Sequence, residues 1–233
     1  MYSRFWVGLV CLAGILTLSP VVWAFSDSLD VLSTYPWGET DADRTTPHVS
    51  FGYPFEPGKA VSVNTLSIPG ASAQQFRVLG RHPDGSISWV LADFILSGNM
   101  TPGQVISGTY AITNTGSGNT SGTICSQSGG TILVNTGSPS GITAKIRQNN
   151  FNVLDEVSLN DGSGNQLVVA NNNGGVFFID EGGVEHTSRS TNAVEFKILD
   201  NGAVRCTVMV EGMIGTSNVG YRTMLSFYND RTD

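Results

Sequence analysis

Three histidines, two adjacent acid pairs and two cysteines outside the first apolar stretch are the residues of this 233-residue chain whose types could do chemistry. His48, His82 and His186 are far apart in sequence, and none has a nucleophile or carboxylate placed beside it by a motif. Removal of a proton next to a uronate carboxylate would need such a base together with a cation to hold the developing charge. Asp155-Glu156 and Asp180-Glu181 have the residue types of a glycosidase acid/base pair. On a strand, however, neighbouring side chains point to opposite faces, so neither pair is expected to act together. Asp161-Gly162-Ser163-Gly164-Asn165 has the glycines of a calcium loop but lacks the later bidentate glutamate, and reads as a turn. No Gly-x-Ser-x-Gly elbow, phosphate loop or Cys/His array is present, so no catalytic residue, metal or cofactor is expected. Cys125 and Cys206 either pair in an oxidising compartment or remain one buried and one loop thiol.

Binding chemistry is better represented. Tyr35, Trp37, Tyr53 and Trp89 are candidates for stacking on sugar rings, although Trp89 lies in phase with Ile87 and Leu91 and is expected in the core. Arg77, Arg81, Lys145 and Arg147 would form a basic patch if the fold brought them together. The formal net charge of −7 argues against nucleic acid, and against acidic polysaccharide unless such a patch exists.

The elements that must position these residues are strands. Only 13% of residues are charged and 28 are glycine, a composition of turn-rich β proteins with neutral polar surfaces. Short alternating segments are predicted at 49–53, 61–68, 74–81, 86–96, 106–113, 131–135, 142–148, 151–159, 165–170, 175–180, 193–199, 203–211 and 219–228. Their spacing predicts an all-β barrel or sandwich. Pro83-Asp84-Gly85 predicts a hairpin over 74–95, with Gly85 at positive φ, and Asp200-Asn201-Gly202 predicts a second.

At the start of the chain, Arg4, the apolar run Phe5–Leu18, Ser19-Pro20 and Val22-Trp23-Ala24 read as a secretory signal peptide cut after Ala24. A secreted protein, extracellular or periplasmic, with no membrane span after cleavage is expected. Residues 25–48 read as a leader, with Asp27 or Ser28 able to cap a short helical turn. Residues 49–233 read as the β domain. The Thr/Asn/Ser/Gly-rich stretch 113–130 reads as a flexible loop or joint, giving either two β units or one barrel with an insertion.

Several of these segments together resemble the N-terminal barrel domain of the exo-rhamnogalacturonan lyase family. They are Phe51-Gly52-Tyr53-Pro54-Phe55, Ser72-Ala73-Gln74-Gln75, Arg81 to Trp89, Leu91-Ala92-Asp93-Phe94, Asn201-Gly202-Ala203-Val204-Arg205, Val210-Glu211-Gly212, Tyr221-Arg222 and Phe227-Tyr228. His82 stands where the family usually has Trp. The resemblance runs from Val49 to Tyr228. It implies a barrel of the swapped-hairpin type and a pectin-degrading context, with catalysis in a helical domain outside the match. The expectation is a secreted, non-catalytic β domain that packs against a catalytic domain or assists carbohydrate binding, with Tyr35, Trp37, Tyr53, Arg77 and Arg81 as candidate contacts. The alternative is an extracellular structural or adhesive protein that self-assembles.

Overall fold

The computed structural model describes residues 26–33, 48–96, 106–137, 139 and 141–229. Among them the fold is all-β, with antiparallel sheets and two short 3-10 turns. The strands are β1 (Ser26–Ser33), β2 (His48–Pro54), β3 (Ala71–Arg81), β4 (Ile87–Leu96), β5 (Ile106–Thr113), β6 (Cys125–Ser128), β7 (Thr131–Asn135), β8 (Ile142–Arg147), β9 (Glu156–Leu159), β10 (Gln166–Val168), β11 (Phe177–Ile179), β12 (Glu185–Thr187), β13 (Glu195–Asn201), β14 (Arg205–Met213) and β15 (Gly220–Tyr228). They form sheets in the orders β2-β4-β3, β10-β9-β8-β7-β6 and β13-β14-β15, with β1-β5 and β11-β12 as two-stranded pairs. No closed barrel joins the described strands. The short antiparallel strands fit the sandwich form of the predicted class.

Two hydrophobic clusters organise these sheets. The first is built from Phe55, Leu66, Phe76, Ile87, Val90, Phe94 and Ile112. The second lies between the β6–β10 sheet and the β13–β15 sheet, where Ile132, Val134, Ile146 and Val157 meet Phe196, Val208 and Val210. Cys125 on β6 and Cys206 on β14 are joined in a disulfide across this second core, with Cα atoms 6.1 Å apart. β14 is buried on both faces. Cys206, Val208 and Val210 point into the second core, while Arg205, Thr207 and Met209 occupy the opposite face.

Three predicted segments differ, and one unassigned segment forms a strand. Residues 61–68 do not form a strand, because the Ser62 side chain accepts from Asn64 N and caps a 3-10 turn over Val63–Thr65. The predicted strand 151–159 begins only at Glu156, since Asn150 and Val153 have φ of 54° and 71°. Residues Ser26–Ser33, to which the sequence reading assigned no element, form a strand paired along β5. Alternate strand pairing supplies the backbone partners that so short a helix would lack. The stretch 113–130 is ordered against β3 and includes β6. Thr120 N donates to Gln74 O at 2.9 Å, and Asn119 bonds both the N–H and the C=O of Phe76. Its polar side chains take the place of a neighbouring strand along β3, and Ile124 and Cys125 further along are buried in the second core. The signal-peptide segment lies outside the described residues.

Candidate functional site

The β3–β4 hairpin presents a half-exposed aromatic side chain, Trp89. Asp84 Oδ1 accepts from Ser86 N at 2.9 Å, and Gly85 turns the chain at φ 83°. The register then slips: Arg81 pairs with Ile87, but Gly80 pairs with Trp89, leaving Ser88 as an extra residue. This bulge reverses the alternation. Ile87 and Val90 both point into the first core, and Trp89 is turned outward with 49% of its surface exposed. The expected core position of Trp89 is thereby corrected; strict alternation from Ile87 fails across the bulge.

Trp89 lies opposite Gly80 on β3 and Pro54 on β2, and its six-membered ring comes 3.6 Å from where a Gly52 Cβ would stand. Glycines on both neighbouring strands leave the indole uncrowded. Leu91 and Asp93 follow on the same face of β4, with Arg77 and Gln75 beside them on β3. The face therefore grades from an open aromatic end to a buried charged end.

At the charged end the β2-β4-β3 sheet meets β14. Asp93, 1% exposed, faces Arg205 with 3.1 Å between Oδ2 and Nη2. Arg205 Nη2 also lies 3.2 Å from Asp200 Oδ2. Gln75 Nε2 donates to Asp200 Oδ1 at 2.8 Å, while its Oε1 accepts from Arg205 N at 3.0 Å and Val204 N at 3.3 Å. Arg77 Nε is 3.9 Å from Asp200 Oδ2. Burial pushes the Asp93 carboxyl up, against the pull of Ser50 and Arg205. Burial opposes the charge on Arg205, yet Asp93 and Asp200 together with a Tyr228 hydrogen bond hold its pKa above the ordinary value. The ion pairs of this joint tie the two sheets together, while Asp93 Oδ1 and Oδ2, Arg205 Nε and Arg77 Nε are buried without a hydrogen-bond partner.

The predicted binding residues are dispersed. Arg77 stands on the Trp89 face. Arg81 Nη1 donates to Gly85 O at 2.7 Å and braces its own hairpin. Tyr53 packs beside the first core, edge-on to Phe51 and Phe55. Tyr35 and Trp37 lie outside the described residues. Lys145 and Arg147 share the outer face of β8, well removed in topology from Arg77 and Arg81 on β3.

The histidines and acid pairs have structural partners. His82 Nε2 is 2.8 Å from Phe55 O, His48 lies edge-on to Tyr228, and His186 sits on β12 stacked on Phe178. Asp180 holds His186 Nε2 at 2.8 Å and accepts from Gly182 N and Val184 N in the β11–β12 turn. Asp155 and Glu156 do act on one partner, contrary to expectation. Asp155 precedes β9, so its Oδ2 reaches Arg147 Nε at 2.7 Å while Glu156 Oε1 lies 3.6 Å from Arg147 Nη2. Both are bound to cations, which does not make an acid/base pair. Asp161 Oδ1 accepts from Ser163 N at 2.8 Å within its turn. Among the described residues no three His, Cys, Asp or Glu side chains form a metal-holding group.

In the sequence, Gln75, Asp93 and Arg205 stood only within the resembling segments and Asp200 only in its turn; their meeting depends on long-range docking and was not foreseen. Asn149, Asn150, Asn171 and Asn172, which the sequence analysis did not single out, line one cleft. No family model matches this chain, and no curated protein matches it.

Proposed function

We propose that this chain is a non-catalytic β domain that binds polysaccharide through the outer face of the β2-β4-β3 sheet. The observation that carries the reading is Trp89, half exposed on a bulge between Pro54 and Gly80, with Arg77 on the same face. An indole set in a flat, uncrowded surface offers a large rigid contact area with little side-chain entropy to lose. A neighbouring guanidinium supplies hydrogen-bond donors for sugar hydroxyls. The resemblance to the lyase family suggests pectic polysaccharide as the ligand and secretion as the setting. In that setting the same face would also suit packing against a catalytic domain. The test is binding of rhamnogalacturonan oligosaccharides to the chain and to Trp89→Ala, with Trp fluorescence as an independent readout. Binding that depends on Trp89 supports the reading, and its absence removes it.

A second reading, self-assembly, is favoured by β15. Its nine residues pair only with β14 among the described strands, and Met224 is exposed on it. An open strand edge can accept a strand from another copy. Light scattering on the purified chain distinguishes the two: a monomer rejects assembly, and defined oligomers or filaments support it.

A further inference from the structure

Behind the β8–β9 connection lies a cleft of about 410 Å³, remote in topology from Trp89. Its walls come from the ends of β8 and β12 and from the loops around 149–155 and 171–172. Neutral amides dominate it, with two guanidiniums, Arg147 and Arg189, and one carboxylate, Asp155. On a chain of net charge −7, this is a local surplus of positive charge.

The two cations differ in a way that matters. Arg147 is neutralised by Asp155 and Glu156. Asp155 Oδ1 accepts from Asn152 Nδ2 at 3.1 Å and from Asn171 N at 3.2 Å, and its Oδ2 is ion-paired with Arg147. Arg189 has only neutral acceptors, Asn173 Oδ1 at 3.0 Å and Asn172 O at 3.4 Å, and its Nε is buried without a hydrogen-bond partner. The Oδ1 of Asn152, a residue 4% exposed, is likewise buried without one.

The backbone points to the same place. The three non-glycine residues with positive φ among the described residues are Asn150, Val153 and Asn171. Asn150 and Asn171 line the cleft, and Val153 lies in the loop between them and Asp155. Asparagine adopts this conformation readily, whereas a β-branched valine does so under strain, and such residues collect at ligand sites.

We propose that this cleft is a second binding site, which takes a saccharide residue bearing a single oxyanion. Arg189 pairs with the oxyanion, and the amides of Asn149, Asn150, Asn171 and Asn172 bond the hydroxyls, each amide offering both donors and an acceptor. Asp155 holds Arg147 and the Asn171 backbone in place and does not meet the ligand as a base. The site uses none of the residues of the Trp89 face and stands or falls separately from it.

The experiment is NMR titration of the full chain with three probes: a hexuronate trisaccharide, its methyl ester, and a monosulfated neutral trisaccharide. The hexuronate is expected to shift the amides of Asn150 and Asn171, and to bind at least about tenfold more tightly than the uncharged ester. Arg189→Gln should erase that preference. Equal binding of the sulfated sugar supports an oxyanion of either kind; its failure beside hexuronate binding also supports the site and narrows it to carboxylate. Equal affinity for acid and ester, absence of shifts at Asn150 and Asn171, or an unchanged preference in a folded Arg189→Gln protein overturns the proposal. Should Arg189→Gln not fold, the acid-against-ester comparison on the unaltered chain decides alone.

Discussion

Arg205 reaches out of β14 to place its guanidinium 3.1 Å from Asp93, a carboxylate buried in the facing β2-β4-β3 sheet. The pair joins a strand of the second core to the outer face of the first. Taking two ions out of water is costly, and mutual attraction offsets that cost only while both are present. Arg205→Met should therefore destabilise the protein by about 3–5 kcal/mol, because Asp93 is left buried without its cation. Asp93→Leu combined with Arg205→Met should recover most of that loss. Urea denaturation of the three proteins measures both effects, and equal losses in the single and double variants would contradict the account.

The same carboxylate sets a pH dependence with an unusual sign for an aspartate. Burial raises its pKa in the folded protein, so the folded state holds the proton over a range where the unfolded chain has released it. The stability contributed by Asp93 is present at acid pH and is lost as pH rises through the raised value. Asp84 and Asp180 behave oppositely, the first lowered chiefly by its Ser86 hydrogen bond and the second by His186. Their contributions are lost as pH falls. The stability of the unaltered protein minus that of Asp93→Asn, taken with its sign, should fall as pH rises from about 4 to 7, measured by denaturation at each pH. A signed difference that rises over that range would reverse the assignment.

Gly202 is required by the joint for space. A Cβ there would stand 2.3 Å from Gln75 Oε1, the acceptor for Val204 N and Arg205 N. Gln75 is 2% exposed and tied at both ends of its amide, so it cannot swing clear without leaving buried groups unpaired. Gly202→Ala should cost about 1–3 kcal/mol, read as a lowered urea midpoint. An unchanged midpoint would show that Gln75 relaxes freely.

The Cys125–Cys206 disulfide closes a sequence separation of 81 residues across the second core. Replacing both cysteines with alanine should lower stability by about 4 kcal/mol, mainly by freeing the unfolded chain. Because both cysteines are buried, reduction should follow global opening, with labelling rates that track unfolding.

What could be read from the sequence was local. Pro83-Asp84-Gly85 and Asp200-Asn201-Gly202 announce their hairpins because turn chemistry is written in a few adjacent residues. Trp89 was misplaced because a bulge one residue away inverts the alternation, and its register is set by pairing with β3. β1 was missed because its partner, β5, lies more than seventy residues on. The Asp93–Arg205 contact and the Arg189 cleft were illegible for the same reason. Each depends on segments far apart in the chain, and a charged or amide side chain looks alike in sequence whether it is solvated or docked. The paired cysteines lay between these cases, since the residues suggested a bridge and only the fold decided it.

The central claim is tested most directly by isothermal titration of rhamnogalacturonan oligosaccharides into the chain and into Trp89→Ala, with unfolding midpoints recorded for both. The prediction is saturable binding to the unaltered chain and at least about tenfold weaker binding to Trp89→Ala, with little change in midpoint because the indole is half exposed. No binding to the unaltered chain, or equal affinity for the two proteins, would contradict the assignment of the Trp89 face as a polysaccharide-binding surface.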